Sequence, residues 1–211
     1  MNGGAADDPS DRRRQTPRRP NLLTPASLEA VAGSVDPMRE IEAAHETAAV
    51  LVHAGRASDD PGLTARLVGL VEELGLSTVA DLWAHRPPRS LPGALWRLYV
   101  LREWVRRSPE EASADYAAGM RFADVDHAVA GAADPPGPTE MTAVIDTILT
   151  GVFQGDLAVA LERAASFCRV VAAGRADRSE GEESADRAAH LLDTAEDLRA
   201  AASLWRRGDL V

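Results

Sequence analysis

From residue 36 onward the apolar positions recur every three or four residues, and short capped turns separate the runs. Asp36-Pro37 sets an N-cap and a first-turn proline ahead of Met38, Ile41, Ala48 and Val52, with Gly55 as the stop. Asp60-Pro61 repeats the device before Leu63, Leu67, Leu70 and Leu74, closed by Gly75. Ser77 opens a short third helix through Val79, Leu82 and Trp83, ended by Pro87-Pro88. Ser90 precedes a fourth helix that is apolar over much of its girth, including Leu95, Trp96, Leu98, Tyr99, Val100 and Trp104. A helix apolar on so many sides is expected at the centre of the fold.

Ser108 and Glu111 have capping-box spacing ahead of Ala112, Tyr116 and Met120, and a short helix is expected around Phe122, Val125 and Val129. Thr139 is placed to cap a helix through Met141, Ile145, Ile148 and Val152. Gly155-Asp156 turns into Leu157, Leu161, Ala164, Cys168 and Val171, with Gly174 as its expected end. A polar stretch over 177–183 leads to a last helix through Leu191, Ala195, Leu198, Ala202 and Trp205. No alternating β-branched run lies between turn signals. The expected fold is all-α, a single multi-helix bundle of about nine helices built from antiparallel helical hairpins.

Residues 1–35 break this pattern. Asp11-Arg-Arg-Arg-Gln-Thr-Pro-Arg-Arg-Pro20 has no apolar period, so 1–35 is expected to be a disordered Arg/Pro-containing tail and 36–211 the all-helical domain. The Asp134-Pro-Pro-Gly-Pro138 run makes 132–138 the one strong internal breaker and a place where the domain would subdivide.

Composition narrows the function classes. The net charge of −10 argues against direct nucleic-acid binding, which needs cationic excess, and points to an Arg/Lys-rich surface on any protein partner. The chain has no lysine, which excludes lysine Schiff-base chemistry and the usual phosphate-binding loop. Its single cysteine, Cys168, excludes an internal disulfide and any Cys-based zinc site. With no apolar run of about 18 residues and no apolar leader at its N-terminus, the chain is expected to be cytoplasmic and not membrane-bound. A helix-turn-helix over 67–84 would lack the Asn, Gln, Lys or Arg that base readout needs in its second helix, 78–85.

The most chemical-looking segment is Glu42-Ala-Ala-His45-Glu46. A carboxylate and an imidazole three residues apart project from one helix face, the spacing of di-metal ligands in four-helix bundles. Asp124-Val-Asp-His127 repeats the spacing, and Asp146 and Glu162 are the nearest further carboxylates. Against this, His45 falls in the seam of Ile41, Ala48 and Val52, where a partly buried histidine bonded to a neighbouring carboxylate is expected. Cys168, deep in an alanine-rich helix, reads as a small hydrophobe. Arg102, Arg106 and Arg107 complement the negative end of the fourth helix, and together with Arg97 would otherwise contact an anion or acidic partner. The four tryptophans, Trp83, Trp96, Trp104 and Trp205, are expected in the core, and any exposed one is an interface candidate.

The segments Ile41-Glu-Ala-Ala-His-Glu-Thr-Ala48, Leu51-Val-His-Ala-Gly-Arg56, Asp81-Leu-Trp83, Ser90-Leu-Pro-Gly-Ala-Leu-Trp96 and Gly155-Asp-Leu-Ala-Val-Ala-Leu161 together resemble a group of all-helical actinobacterial proteins. The resemblance spans roughly residues 38–175. It implies an all-helical fold and carries over no catalytic residues, since the group has no established activity; some members bear names pointing to the RNA polymerase β subunit, an associational hint toward transcription. The expectation is therefore a non-enzymatic helical protein-interaction or regulatory protein that binds a protein partner or itself, with no catalytic residues and no cofactor. The rival is a metal- or small-ligand-binding helical-bundle enzyme or sensor using Glu42, His45, Glu46, Asp124 and His127.

Overall fold

A computed structural model describes residues 36–178 and 181–211, and the tail expected over 1–35 lies outside them. The fold is all-α: the described residues form ten α-helices and one 3₁₀ turn, with no strand. In chain order these are α1 (Pro37–Arg56), α2 (Pro61–Val68), α3 (Leu70–Leu74), α4 (Leu76–Trp83), α5 (Leu91–Arg107) and α6 (Pro109–Gly119). The 3₁₀ turn Met120–Phe122 follows, then α7 (Asp124–Ala130), α8 (Pro138–Gln154), α9 (Leu157–Arg178) and α10 (Glu182–Arg207). No helix among the described residues is long and apolar enough to cross a membrane.

Three side-chain caps form where the sequence placed them. Asp60 Oδ1 accepts from the Gly62 amide at 2.8 Å, Ser90 Oγ from Gly93 at 3.2 Å and Asp156 Oδ1 from Ala158 at 2.8 Å. Elsewhere glycine overrides the expected cap. Gly69 interrupts the second expected helix, its amide bonding back to the Ala65 carbonyl, so the described residues form ten helices where about nine were expected. Gly75, not Ser77, precedes α4, at a φ of 83° that a side chain would strain. Ser108 makes no side-chain cap bond, and Gly137 rather than Thr139 starts α8.

Gly55 falls in the last turn of α1, one residue before its end, whereas Gly174 lies four residues inside the end of α9. Both are buried. A Cβ on Gly55 would stand 2.7 Å from Phe153 Cβ, and one on Gly174 would stand 1.7 Å from the Asp115 carbonyl oxygen. A glycine stop and a glycine contact look identical in sequence, and only the neighbouring helix distinguishes them.

The most enclosed element is α9, packed against α6, α7, α8 and α10 with Leu157, Leu161, Phe167, Val170 and Val171 buried. This corrects the expected centre. Helix α5 does have neighbours on several sides (α1, α4, α6, α8 and α10), but it shares the centre with a helix five of whose fourteen buried residues are alanine. Small residues give α9 little hydrophobic signal yet let its partners approach closely, which is why the pattern undervalued it.

The segment 132–138 does not separate two compact bodies. Pro37–Val211 forms one compact unit, and Ser113 Oγ donates to the Pro136 carbonyl at 2.7 Å across the breaker. In α1 the buried stripe is Ala44, Ala48, Val52 and Gly55, while Met38 and Ile41 are exposed. That rotation decides what the outer side of α1 presents.

Candidate functional site

The acidic-x-x-His segments are not brought together. Glu42 and Glu46 are exposed on α1 and His45 is half-buried there, whereas Asp124 is exposed and His127 half-buried on α7. Helix α1 packs on α2, α4, α5 and α8, and α7 packs on α9 and the 3₁₀ turn. Among the described residues no group of three or more His, Cys, Asp or Glu side chains is placed to hold a metal ion. His127 Nδ1 instead lies 3.1 Å from the hydroxyl of buried Tyr116, and Asp126 accepts from Ser166 Oγ at 2.7 Å. Arg102 donates to Asp146 at 2.6 Å and Arg206 to Glu162 at 2.7 Å, so the two further carboxylates are held by arginines. His45 makes no hydrogen bond among the described residues, which corrects the expected carboxylate-bonded histidine: the rotation of α1 turns its side chain toward a surface cleft.

Ser166, Asp126 and His127 lie close together without forming a nucleophile-and-base chain. The serine hydroxyl donates directly to the carboxylate, while the imidazole faces Tyr116. Burial pushes the Cys168 thiol up to about 12, with the Arg169 charge opposing it only in part. A thiol so buried is a packing group, not a nucleophile.

Of the arginine cluster on α5, Arg102 turns inward while Arg106 and Arg107 stay exposed. Arg102 is buried and bridges Glu72 on α3, at 2.7 Å, to Asp146 on α8. Arg106 adds contacts at 3.4 and 3.7 Å to the same pair, Arg107 meets Glu103 at 2.6 Å, and Arg97 meets Asp197 at 3.2 Å. Burial opposes ionisation of Glu72, but the Arg102 hydrogen bonds and the nearby Arg106 charge outweigh it and hold the carboxyl below its usual range. Arg97, Arg102 and Arg106 join α5 to other helices and Arg107 pairs within α5, so little of their charge is left for an outside anion.

The clefts that hold the half-buried tryptophans are mostly apolar. Trp83 is fully buried, stacked 6.1 Å from Tyr99, with its indole N–H donating to Thr47 Oγ1 at 3.3 Å. The other three tryptophans are half-buried, and each lines a surface cleft. Trp96 and Trp104 lie two turns apart on α5 with exposed Val100 between them, and Leu191 of α10 completes a cleft of about 340 Å³. Arg97 and Arg175 flank it, and the Arg175 guanidinium sits 5.0 Å from the Trp104 ring. Arg175 is itself held by Asp115 at 2.9 Å and Glu111 at 3.0 Å.

A larger cleft, about 1010 Å³, separates the outer side of α1 from the end of the chain. Ala49, Val52 and Arg56 line it from α1, and Leu91, Trp205 and Leu210 close it. The Leu91 amide donates to the Val211 carbonyl at 2.9 Å and Leu210 is buried, so these last residues form a built wall. Trp205 was flagged by residue type alone. Arg56 and Leu210 carried no sequence signal, since their role depends on two distant segments meeting.

Both clefts supply shape, apolar surface and a few charges, the attributes of binding sites. Compared with family models, with curated proteins and with solved structures, the chain matches none.

Proposed function

We propose that this protein is a non-enzymatic helical interaction protein, with a regulatory or assembly role, that receives a partner helix on the α5–α10 face. One observation carries the reading: Trp96, Val100 and Trp104 lie along one side of α5 and line an open cleft that no helix among the described residues fills. Aromatic side chains in well-packed clefts dominate interface energies, because each buries a large rigid surface at small entropic cost. The flanking cations are already neutralised, Arg97 by Asp197 and Arg175 by Asp115 and Glu111. The matching partner surface is therefore apolar, with side chains at helical spacing, rather than the basic surface that net charge alone would favour. Support for a link to transcription is confined to the resemblance of the sequence segments named above.

Affinity capture from the source lysate, followed by binding measurements with the recovered partner, tests this. Val100→Asp puts a charge at an exposed position and should abolish capture without changing the circular-dichroism melt. Trp96→Ala should weaken the purified complex by about 2 kcal/mol, or roughly thirtyfold. A partner held equally by the wild type and Val100→Asp, or no stoichiometric partner at all, overturns the reading.

A further inference from the structure

The cleft between α1 and the chain end is distinct from the α5–α10 face and has a different electrostatic make-up. Its floor is apolar: Ala49, Val52, Leu91, Trp205 and Leu210. Its one permanent cation is Arg56, exposed in the last turn of α1. Arginine in this protein is generally matched with a carboxylate, as in the Arg102, Arg175 and Arg206 pairs. Arg56 forms no ion pair among the described residues, and its recorded partner is the Trp205 ring, 5.5 Å from the guanidinium carbon. The Arg56 guanidinium carbon lies over the indole, and with no carboxylate partner among the described residues its N–H groups are open to a ligand carboxylate. The cleft also has polarity. Its one side-chain carboxylate, Glu46, stands at the other end of α1's wall, roughly 15 Å from position 56 at 1.5 Å of rise per residue.

From this geometry we propose that the cleft binds a small amphipathic monoanion, an unbranched alkyl chain ending in a carboxylate. The carboxylate sits on Arg56, with His53 one turn away on the same rim, and the alkyl chain runs over Ala49, Val52 and Leu210 toward the Glu46 end. Glu46 sets the direction, because it repels the head group from the wrong end. A volume of about 1010 Å³ lined by apolar side chains and few polar ones is of the size and character of small-molecule sites. Occupancy would place the ligand against Trp205 and Leu210, and so couple it to the position of residues 205–211.

The full chain is titrated calorimetrically with decanoate, 1-decanol and decyltrimethylammonium, each below its micelle concentration. Decanoate should saturate at one molecule per chain, decanol should bind about tenfold or more weakly, and the cation should not bind. Arg56→Ala should weaken decanoate roughly tenfold to a hundredfold, the range of one charged hydrogen bond, and leave decanol unchanged. Ala49→Phe, which fills the floor from an exposed helix position, should weaken both. Circular-dichroism melts check that both variants fold. No saturable decanoate binding, equal binding of all three amphiphiles, or indifference to Arg56→Ala overturns the proposal. So does light scattering that shows a dimer broken by Ala49→Phe, which assigns the cleft to a second copy. Hydrogen exchange in which the same substitution alters protection of residues 1–35 assigns it to the chain's own N-terminal segment and is equally fatal. None of these outcomes depends on Val100, so failure here leaves the α5–α10 reading standing.

Discussion

Replacing Gly174 by alanine tests the close backbone approach of α6 and α9. A Cβ at this position would stand 1.7 Å from the Asp115 carbonyl oxygen and 2.6 Å from the Gly119 amide nitrogen. The reciprocal position is as tight, with a Cβ on Gly119 falling 1.8 Å from the Val170 carbonyl oxygen. Both obstacles are backbone, so no rotamer change relieves them, and α6 and α9 must separate by more than an ångström. Overpacking a well-packed contact costs about 1–3 kcal/mol, and a rigid obstacle belongs at the upper end of that range. Alanine recovers about 1 kcal/mol of helix propensity over glycine, leaving a net loss of about 2 kcal/mol. In a unit of this size that lowers Tm by roughly 4–8 °C. Gly151→Ala is the internal control: its Cβ would meet only Ala160 Cβ, at an ordinary 3.4 Å, so propensity should prevail and stability should rise by up to about 1 kcal/mol. Urea unfolding followed by circular dichroism reads both, and adding Gly119→Ala to Gly174→Ala should cost much less than its own single loss, since the helices have already parted. If Gly174→Ala stabilises the protein as Gly151→Ala does, the backbone contact between α6 and α9 does not exist.

Two further outcomes follow from buried and paired groups. Cys168, with its thiol pushed up to about 12, should resist iodoacetamide at mildly alkaline pH and react fully once urea unfolds the chain; alkylation of the folded protein would contradict its burial. Because the Glu72 carboxyl is held below its ordinary range in the folded state, its contribution to stability is present above the unfolded pKa of about 4.3 and is lost as pH falls through the lower folded value. Glu72 is partly exposed, so this contribution is below about 1 kcal/mol, and Glu72→Gln should make the loss of stability between pH 5 and pH 3 correspondingly smaller; an unchanged loss would show that Arg102 does not depress this carboxyl.

The sequence by itself determined the class of fold and most of the helix starts. Asp60, Ser90 and Asp156 cap locally, within two or three residues, so their effect is legible without any neighbour. Periodicity likewise marked α8, whose buried Met141, Ile145, Ile148 and Val152 recur at helical spacing. What only the tertiary structure decided depends on segments far apart in the chain. Gly55 and Gly174 read as stops because glycine ends many helices, yet here the missing side chain admits Phe153 and the backbone of α6. The central role of α9 was hidden because alanine adds little to a hydrophobic pattern while permitting close packing. Glu42, His45, Glu46, Asp124 and His127 had suggestive spacing, but spacing fixes only which residues share a helix face. Which faces meet is settled by how the helices cross, and these do not cross there. The same global packing left Trp96 and Trp104 at a surface and brought Arg56 beside Trp205 and the chain end. Residue type announced the tryptophans as candidates, whereas the cleft at Arg56 exists only because positions near 56 and 205 converge, which no local pattern encodes.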